Sequence, residues 1–343
     1  MDSISHIVLG ASIAVVCAPA AHRRQALIAG AVFGSLPDID VPFLYGLRFD
    51  EVTRITWHRG PAHALAIVVP MGVLLWWLLG RWWTPVREAP RAWFAALMLA
   101  LLSHPLIDAL TVYGTQLWWP SPVPPTMWAT LFIIDPMVLL PLLAGFAGSC
   151  ACRDRSRAKA WAAGGLAISL AYVGWSIVAK QLVERDVASS LAGTPLASAP
   201  HFTVPAPLNT LLWRVVVMTP DGALEGYRSL VADRGPIRFR AIASDGQARD
   251  ATAAFPQVAR LTWFASGFVK FERRGDTLVL TDLRMGSEPE YFFNYAVARR
   301  VDGRWEPVPA HRVASAGKAG ITLRMLWQRI GTEPVDAGMG AAR

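Results

Sequence analysis

Ala92-Trp93-Phe94-Ala95-Ala96-Leu97-Met98-Leu99-Ala100-Leu101-Leu102-Ser103-His104-Pro105-Leu106-Ile107-Asp108-Ala109-Leu110-Thr111 is apolar over the ~20 residues that a membrane-spanning helix needs, yet it carries an imidazole and a carboxylate. His104 and Asp108 stand at i and i+4, so a helix that continues through Pro105 presents them on one face, a turn apart. Ionisable groups at membrane depth are costly unless they are paired or bound to a cation. The stretch therefore predicts a membrane helix with something for its two polar residues to hold.

Working outward, five more apolar segments can be drawn, at 5–21, 25–46, 62–80, 127–148 and 160–182. With 92–112 they make about six transmembrane or partly inserted helices. Segments three to six approach or exceed spanning length, whereas the first two are marginal. The second runs apolar for only about a dozen residues before Pro37-Asp38, under ~20 Å of helix. Beyond residue 185 the texture changes. Residues 186–209 are rich in Ala, Pro and Ser and read as a linker. Leu211–Thr219, 236–243, Val258–Phe271, Thr277–Asp282 and Tyr291–Arg299 then read as short strands, with turns at Asp221-Gly222, Gly275-Asp276 and Asp302-Gly303. The expected fold is an α-helical membrane bundle over 1–185, followed by a soluble, mainly antiparallel β domain over 210–343.

Composition agrees. Of 343 residues 53% are hydrophobic and only 17% charged, and the charges crowd into the second half. The net charge of +8 does not point to nucleic acid, because much of it lies in short loops where basic residues set topology. Cys17, Cys150 and Cys152 lie in or beside apolar segments and form no disulfide framework. Ala18-Pro19-Ala20 imitates a signal cleavage site, but the residues before it contain Asp2 and no Lys or Arg, so the N-terminus is expected to be retained. Trp57, Trp82, Trp83, Trp118 and Trp119 fall at segment ends, where an aromatic belt is the simplest reading.

Loop charges orient the bundle. Arg23 and Arg24, then Arg81, Arg87 and Arg91, then Arg153, Arg155, Arg157 and Lys159 occupy alternate loops that should face the cytoplasm. The other loops, both termini and the β domain should then face outward, which is periplasmic for a multi-pass inner-membrane protein. Eight residues fall at that outer side: His6, Asp38, Asp40, His58, His63, His104, Asp108 and Asp135. Imidazole and carboxylate suit zinc and manganese, and eight candidates exceed the four ligands of a closed zinc site. Either two divalent ions or one ion with supporting carboxylates is expected. Asp38 and Asp40 should leave the helix extended, and His58 and His63 should bracket a turn at Gly60-Pro61. Arg59 is expected either to clamp a phosphate or to pair with Asp40. His6 and Asp135 also have plain readings beside an N-cap and as the cap of segment five.

Met1-Asp2-Ser3-Ile4-Ser5-His6, Pro37-Asp38-Ile39-Asp40, His58-Arg59-Gly60 with His63, and Ser103-His104 followed by Asp108 and Thr111-x-x-Gly114-Thr115 resemble the membrane-bound metal-dependent hydrolase family of bacterial inner membranes. The likeness covers about residues 1–145, and Ala62 stands where members often carry Thr. The His-x-x-x-Asp element also resembles one in zinc-dependent phospholipase C. These resemblances imply hydrolysis, with zinc the leading cofactor. The expected function is phosphoester hydrolysis by metal-activated water, with Asp40 or Asp108 as proton acceptor and Arg59 assisting. A site opening at the outer leaflet implies membrane lipids as neighbours and a lipid or amphiphilic phosphoester as substrate. A metal-stabilised scaffold is the alternative. A transporter would need ionisable residues along a path, and the inner halves of the segments have almost none.

Overall fold

The structure is a computed structural model and describes residues 1–315 and 323–333. The chain divides into two compact units, Met1–Phe49 with Arg54–Trp175, and Asp50–Thr53 with Ser176–Arg343.

The first unit is helical. Its helices are α1 (Ser3–Cys17), α2 (Arg23–Ser35), α3 (Asp40–Gly46), α4 (Glu51–Trp57), α5 (Leu65–Trp82), α6 (Thr84–Glu88), α7 (Pro90–Ala109), α8 (Pro136–Ala151) and the start of α9 (Arg155–Leu191). Among the described residues, four helical stretches are long and apolar enough to cross a membrane: Ala20–Gly46, Leu65–Trp82, Pro90–Ala109 and Arg155–Leu191. α1 and α8 are shorter. The second segment thus reaches spanning length, because a 3-10 turn at Leu36–Ile39 carries the chain straight from α2 into α3. The fifth falls short, because Asp135-Pro136 starts α8 only at residue 136.

α7 is the centre of this unit. Trp93, Ala96, Leu97, Ala100 and Leu101 are buried in a core shared with Ala14, Ala26, Phe33 and Val68. α5 instead exposes Val73, Leu74 and Trp77, side chains suited to lipid. α1 and α2 pack unusually closely, because Gly10, Gly30 and Gly34 bring backbone to backbone. A Cβ on Gly10 would lie 2.2 Å from the Gly30 carbonyl oxygen, and one on Gly34 would lie 2.5 Å from that of His6.

Between α7 and α8 the chain is irregular but tied down. Trp128 N–H donates to the Ala109 carbonyl, and the N–H groups of Thr130 and Leu131 to that of Leu110, so the last carbonyls of α7 are satisfied. Gln116 N–H donates to Arg59 O and Leu65 N–H to Leu117 O. The segment therefore holds residues 59–65 against the end of α7.

The second unit contains the end of α9 and the β-rich region. A four-stranded antiparallel sheet has the order β1 (His201–Pro205), β2 (Leu212–Thr219), β3 (Gly222–Ser229), β4 (Phe239–Ala243). Helices α10 (Gly246–Thr252) and α11 (Pro256–Phe264) follow. The remaining strands are β5 (Val269–Arg274), β6 (Thr277–Asp282), the short pair β7 (Gly286–Ser287) and β8 (Glu290–Tyr291), β9 (Asn294–Val301) and β10 (Arg304–Arg312), and α12 (Leu323–Ile330) comes last. The second four-stranded sheet runs β10-β9-β6-β5. All three expected turns are two-residue or near two-residue hairpins, with Thr219 opposite Gly222, Arg274 opposite Thr277 and Val301 opposite Arg304.

Residues 186–209 carry the last turn of α9, a run of turns and β1. Ala179, Val183, Val187 and Leu191 of α9 join Trp213, Val215 and Val217 of β2 in one core. The expected strand over Val258–Phe271 is a helix for half its length. Val258, Leu261 and Phe264 are buried at three-residue spacing, Pro256 opens α11, and positive φ at Ser266 and Gly267 ends it.

Candidate metal centre

Three local structures deliver the polar residues. Asp38 sits in the 3-10 turn after α2 and Asp40 opens α3, so the expected extended geometry gives way to helical turns that keep both carboxylates at one place. Pro37 is tolerated at the start of that turn, where no N–H is needed. α4 stops at Trp57, Arg59 takes a left-handed φ of 60°, and a 3-10 turn spans Pro61–His63. The strained Arg59 backbone is compensated, since its N–H donates to Asp40 Oδ2 at 3.1 Å. α7 continues through Pro105, so His104 and Asp108 do share a face.

At the centre four acceptor atoms converge. His63 Nε2 and His104 Nε2 lie 3.1 Å apart. Asp38 Oδ1 is 3.6 Å from the former and 3.3 Å from the latter, and Asp108 Oδ2 is 3.6 Å and 3.5 Å from them. Donors held at 2.0–2.1 Å by a tetrahedral ion are spaced about 3.3–3.4 Å from one another, so these separations match the edges of such a site. His104 Nδ1 donates to the Gly34 carbonyl at 2.6 Å. A carbonyl only accepts, so the proton is on Nδ1 and Nε2 presents its lone pair inward. His63 Nδ1 stands 3.7 Å from Asp40 Oδ2, beyond hydrogen-bonding distance, and has no hydrogen-bond partner among the described residues. A single proton could satisfy one pair of these atoms, whereas a divalent cation could satisfy three at once, as in the group Asp38, His63 and His104. His63, His104 and Asp108 are 0% exposed, and Asp108 Oδ2 has no hydrogen-bond partner. An unsatisfied buried carboxylate oxygen aimed at two imidazole nitrogens is what a cation site requires.

The other residues surround this quartet. His6 Nε2 is 3.1 Å from Asp108 Oδ1, and its ring stacks on His104 with centroids 3.6 Å apart. The Met1 amino group reaches the same carboxylate oxygen. Arg59 directs its guanidinium to Asp108 Oδ1 at 3.0 Å and to Thr111 Oγ1 at 2.9 Å, with Tyr113 beneath it. Its side chain is therefore neither on Asp40 nor in solvent. His58 Nδ1 is 3.2 Å from Asp40 Oδ1. Three groups of side chains could each hold an ion: His6, His104 and Asp108; Asp38, His63 and His104; and Asp38, Asp40 and His58.

Asp135 is in none of them. It caps α8 through the Met137 N–H and accepts from the Tyr172 hydroxyl. The structure gives it the capping role. Sequence reading missed the Gly34 carbonyl and Tyr113. Gly34 had one visible signal, the Gly30-x-x-x-Gly34 spacing that permits close helix approach.

The family model described as YdjM inner membrane protein matches residues 1–183. The chain belongs to that family. The YdjM family is the membrane-bound metal-dependent hydrolase family, so the resemblance carried by the motifs holds. The match contains every residue of the centre, and the strands of the second unit lie beyond it. The inner membrane protein YbcI of Escherichia coli (strain K12) is 38% identical over 96 residues, 27% of this chain and 51% of YbcI. The chain thus matches about half the length of that curated relative. No solved structure matches. This YdjM-family chain is an inner membrane protein with several candidate spans and a buried His/Asp cluster that could bind metal.

Proposed function

We propose that the protein is a metal-dependent hydrolase acting on phosphoester bonds of a lipid or other amphiphilic substrate. The observation that carries this reading is the convergence of His63, His104, Asp38 and Asp108, with the outer nitrogen of His104 donating to the Gly34 carbonyl. Hard carboxylates with imidazoles suit zinc first and manganese second. When bound, such an ion polarises a phosphoryl oxygen and makes a water nucleophilic near neutral pH. The protein's own contribution is positional. Gly34 O sets the His104 tautomer, and Arg59 holds Asp108 while shielding it from solvent. Asp40, half-buried beside His58, is better placed than the enclosed Asp108 to take a proton from water. The loop arginines support an outward-facing site and a periplasmic β-rich region that covers or recognises substrate.

A second reading has its own observation. Four protein donors leave a tetrahedral ion no open position, as in structural zinc sites. The test is turnover of purified protein on lipid phosphoesters before chelation, after chelation, and after zinc or manganese is restored. Hydrolysis lost and regained with the metal supports the proposal; hydrolysis indifferent to the metal removes it.

A further inference from the structure

We infer that the centre is dinuclear, with an inner ion that organises the bundle and an outer ion that meets substrate. The inference rests on the metal-centre reading above and assigns its two halves different work.

The candidate groups differ in how many donors they offer and in exposure. Three members of the inner quartet, His63, His104 and Asp108, are 0% exposed, and with Asp38 an ion among them would have up to four protein donors. The outer group comprises Asp38, Asp40 and His58, all partly exposed, with 27% of the His58 side chain and 23% of the Asp38 side chain accessible. His58 Nδ1 and Asp40 Oδ1 stand 3.2 Å apart, again close to the ~3.3 Å edge of a tetrahedral site. Three donors facing solvent leave a coordination position for water or a phosphoryl oxygen. That is the feature the inner quartet lacks.

Asp38 belongs to both groups, so one carboxylate would bridge the two ions. Bridged pairs of this kind stand ~3.5–4 Å apart in hydrolytic two-metal sites and clamp an in-line displacement from both ends. Arg59 links the halves a second time, with its backbone N–H on Asp40 and its guanidinium on Asp108. The alternative is that Asp40 only orients His58 by hydrogen bonding and that the outer position takes no ion.

The experiment counts metal and does not depend on catalysis. Full-length protein in detergent micelles is stripped with chelator and titrated with Mn(II), with bound metal measured by elemental analysis and coupling between ions by electron paramagnetic resonance. The expected result is two ions per chain with an exchange-coupled spectrum. His58→Ala and the near-isosteric Asp40→Asn should each bind one ion with an uncoupled spectrum. One ion in the parent protein, or two in both variants, overturns the inference. Two coupled ions without phosphoester hydrolysis would leave the dinuclear centre standing and remove the hydrolase reading, whereas one ion with hydrolysis would do the reverse.

Discussion

Gly34→Ala tests whether the close packing of α1 on α2 sets the metal centre. The added Cβ would lie 2.5 Å from the His6 carbonyl oxygen and 2.9 Å from Gly10 Cα, where ordinary contact begins at 3.4 Å. The shortfalls of 0.9 Å at the oxygen and 0.5 Å at Gly10 Cα both fall on backbone, so no side chain can rotate away and α1 must shift as a body. α1 carries His6, whose 3.1 Å contact with Asp108 would open to about 4 Å, beyond hydrogen-bonding distance. Displacement of Gly34 itself would disturb the 2.6 Å bond that sets the His104 tautomer. Overpacking of this kind costs about 1–3 kcal/mol of stability, and loss of supporting contacts around metal ligands typically weakens binding 10–100-fold. Thermal melting in micelles and competition with a chromogenic chelator measure the two effects. Gly164→Ala is the control, because nothing lies within 4 Å of the added atom and alanine favours a helix by about 1 kcal/mol. If Gly34→Ala matches Gly164→Ala in both assays, the reasoning fails.

Three further outcomes are expected. Asp135→Ala should leave the bound-metal count unchanged while lowering stability by about 0.5–2 kcal/mol through loss of the α8 cap, and a lost equivalent of metal in elemental analysis would contradict this. Chelation should lower the melting temperature of the protein reversibly, because an ion held by buried His63, His104 and Asp108 binds the folded state alone; an unshifted melt would count against the site. In the second unit, His201 donates to Glu184 Oε2 at 2.9 Å, which raises the imidazole pKa above its ordinary 6.5. The stabilisation from that pair is complete below about pH 6.5 and disappears as pH rises through the raised value. His201→Gln should therefore lower the melting temperature more at pH 5.5 than at pH 8.5, and an equal loss at both would dismiss the ion pair.

The helical framework was legible because apolar length is a strong signal, and the hairpins because Asp-Gly and Gly-Asp pairs supply the positive φ that tight turns need. Seven of the eight candidate ligands belong to the cluster, since imidazoles and carboxylates have few other reasons to recur in an apolar bundle. Asp135 is ambiguous in sequence because an N-cap and a ligand are the same residue type at the same end of a helix, and the structure shows it as the cap. The Gly34 carbonyl left almost no trace, because a backbone acceptor has no residue identity of its own. Val258–Phe271 misled because a short apolar run fits both periods until Pro256 and Gly267 are weighed as helix boundaries. The direction of the Arg59 side chain depended on where the end of α7 came to rest, a tertiary matter that local sequence does not encode.

The centre is drawn from far along the chain, with His6 and Asp108 102 residues apart. A chain emerging into the membrane has none of the finished site when α1 and α2 are in place, and only part of it when residues 58–63 follow. Any metal loading of this cluster would therefore come late in biogenesis, after α7 has been inserted and has seated against α1.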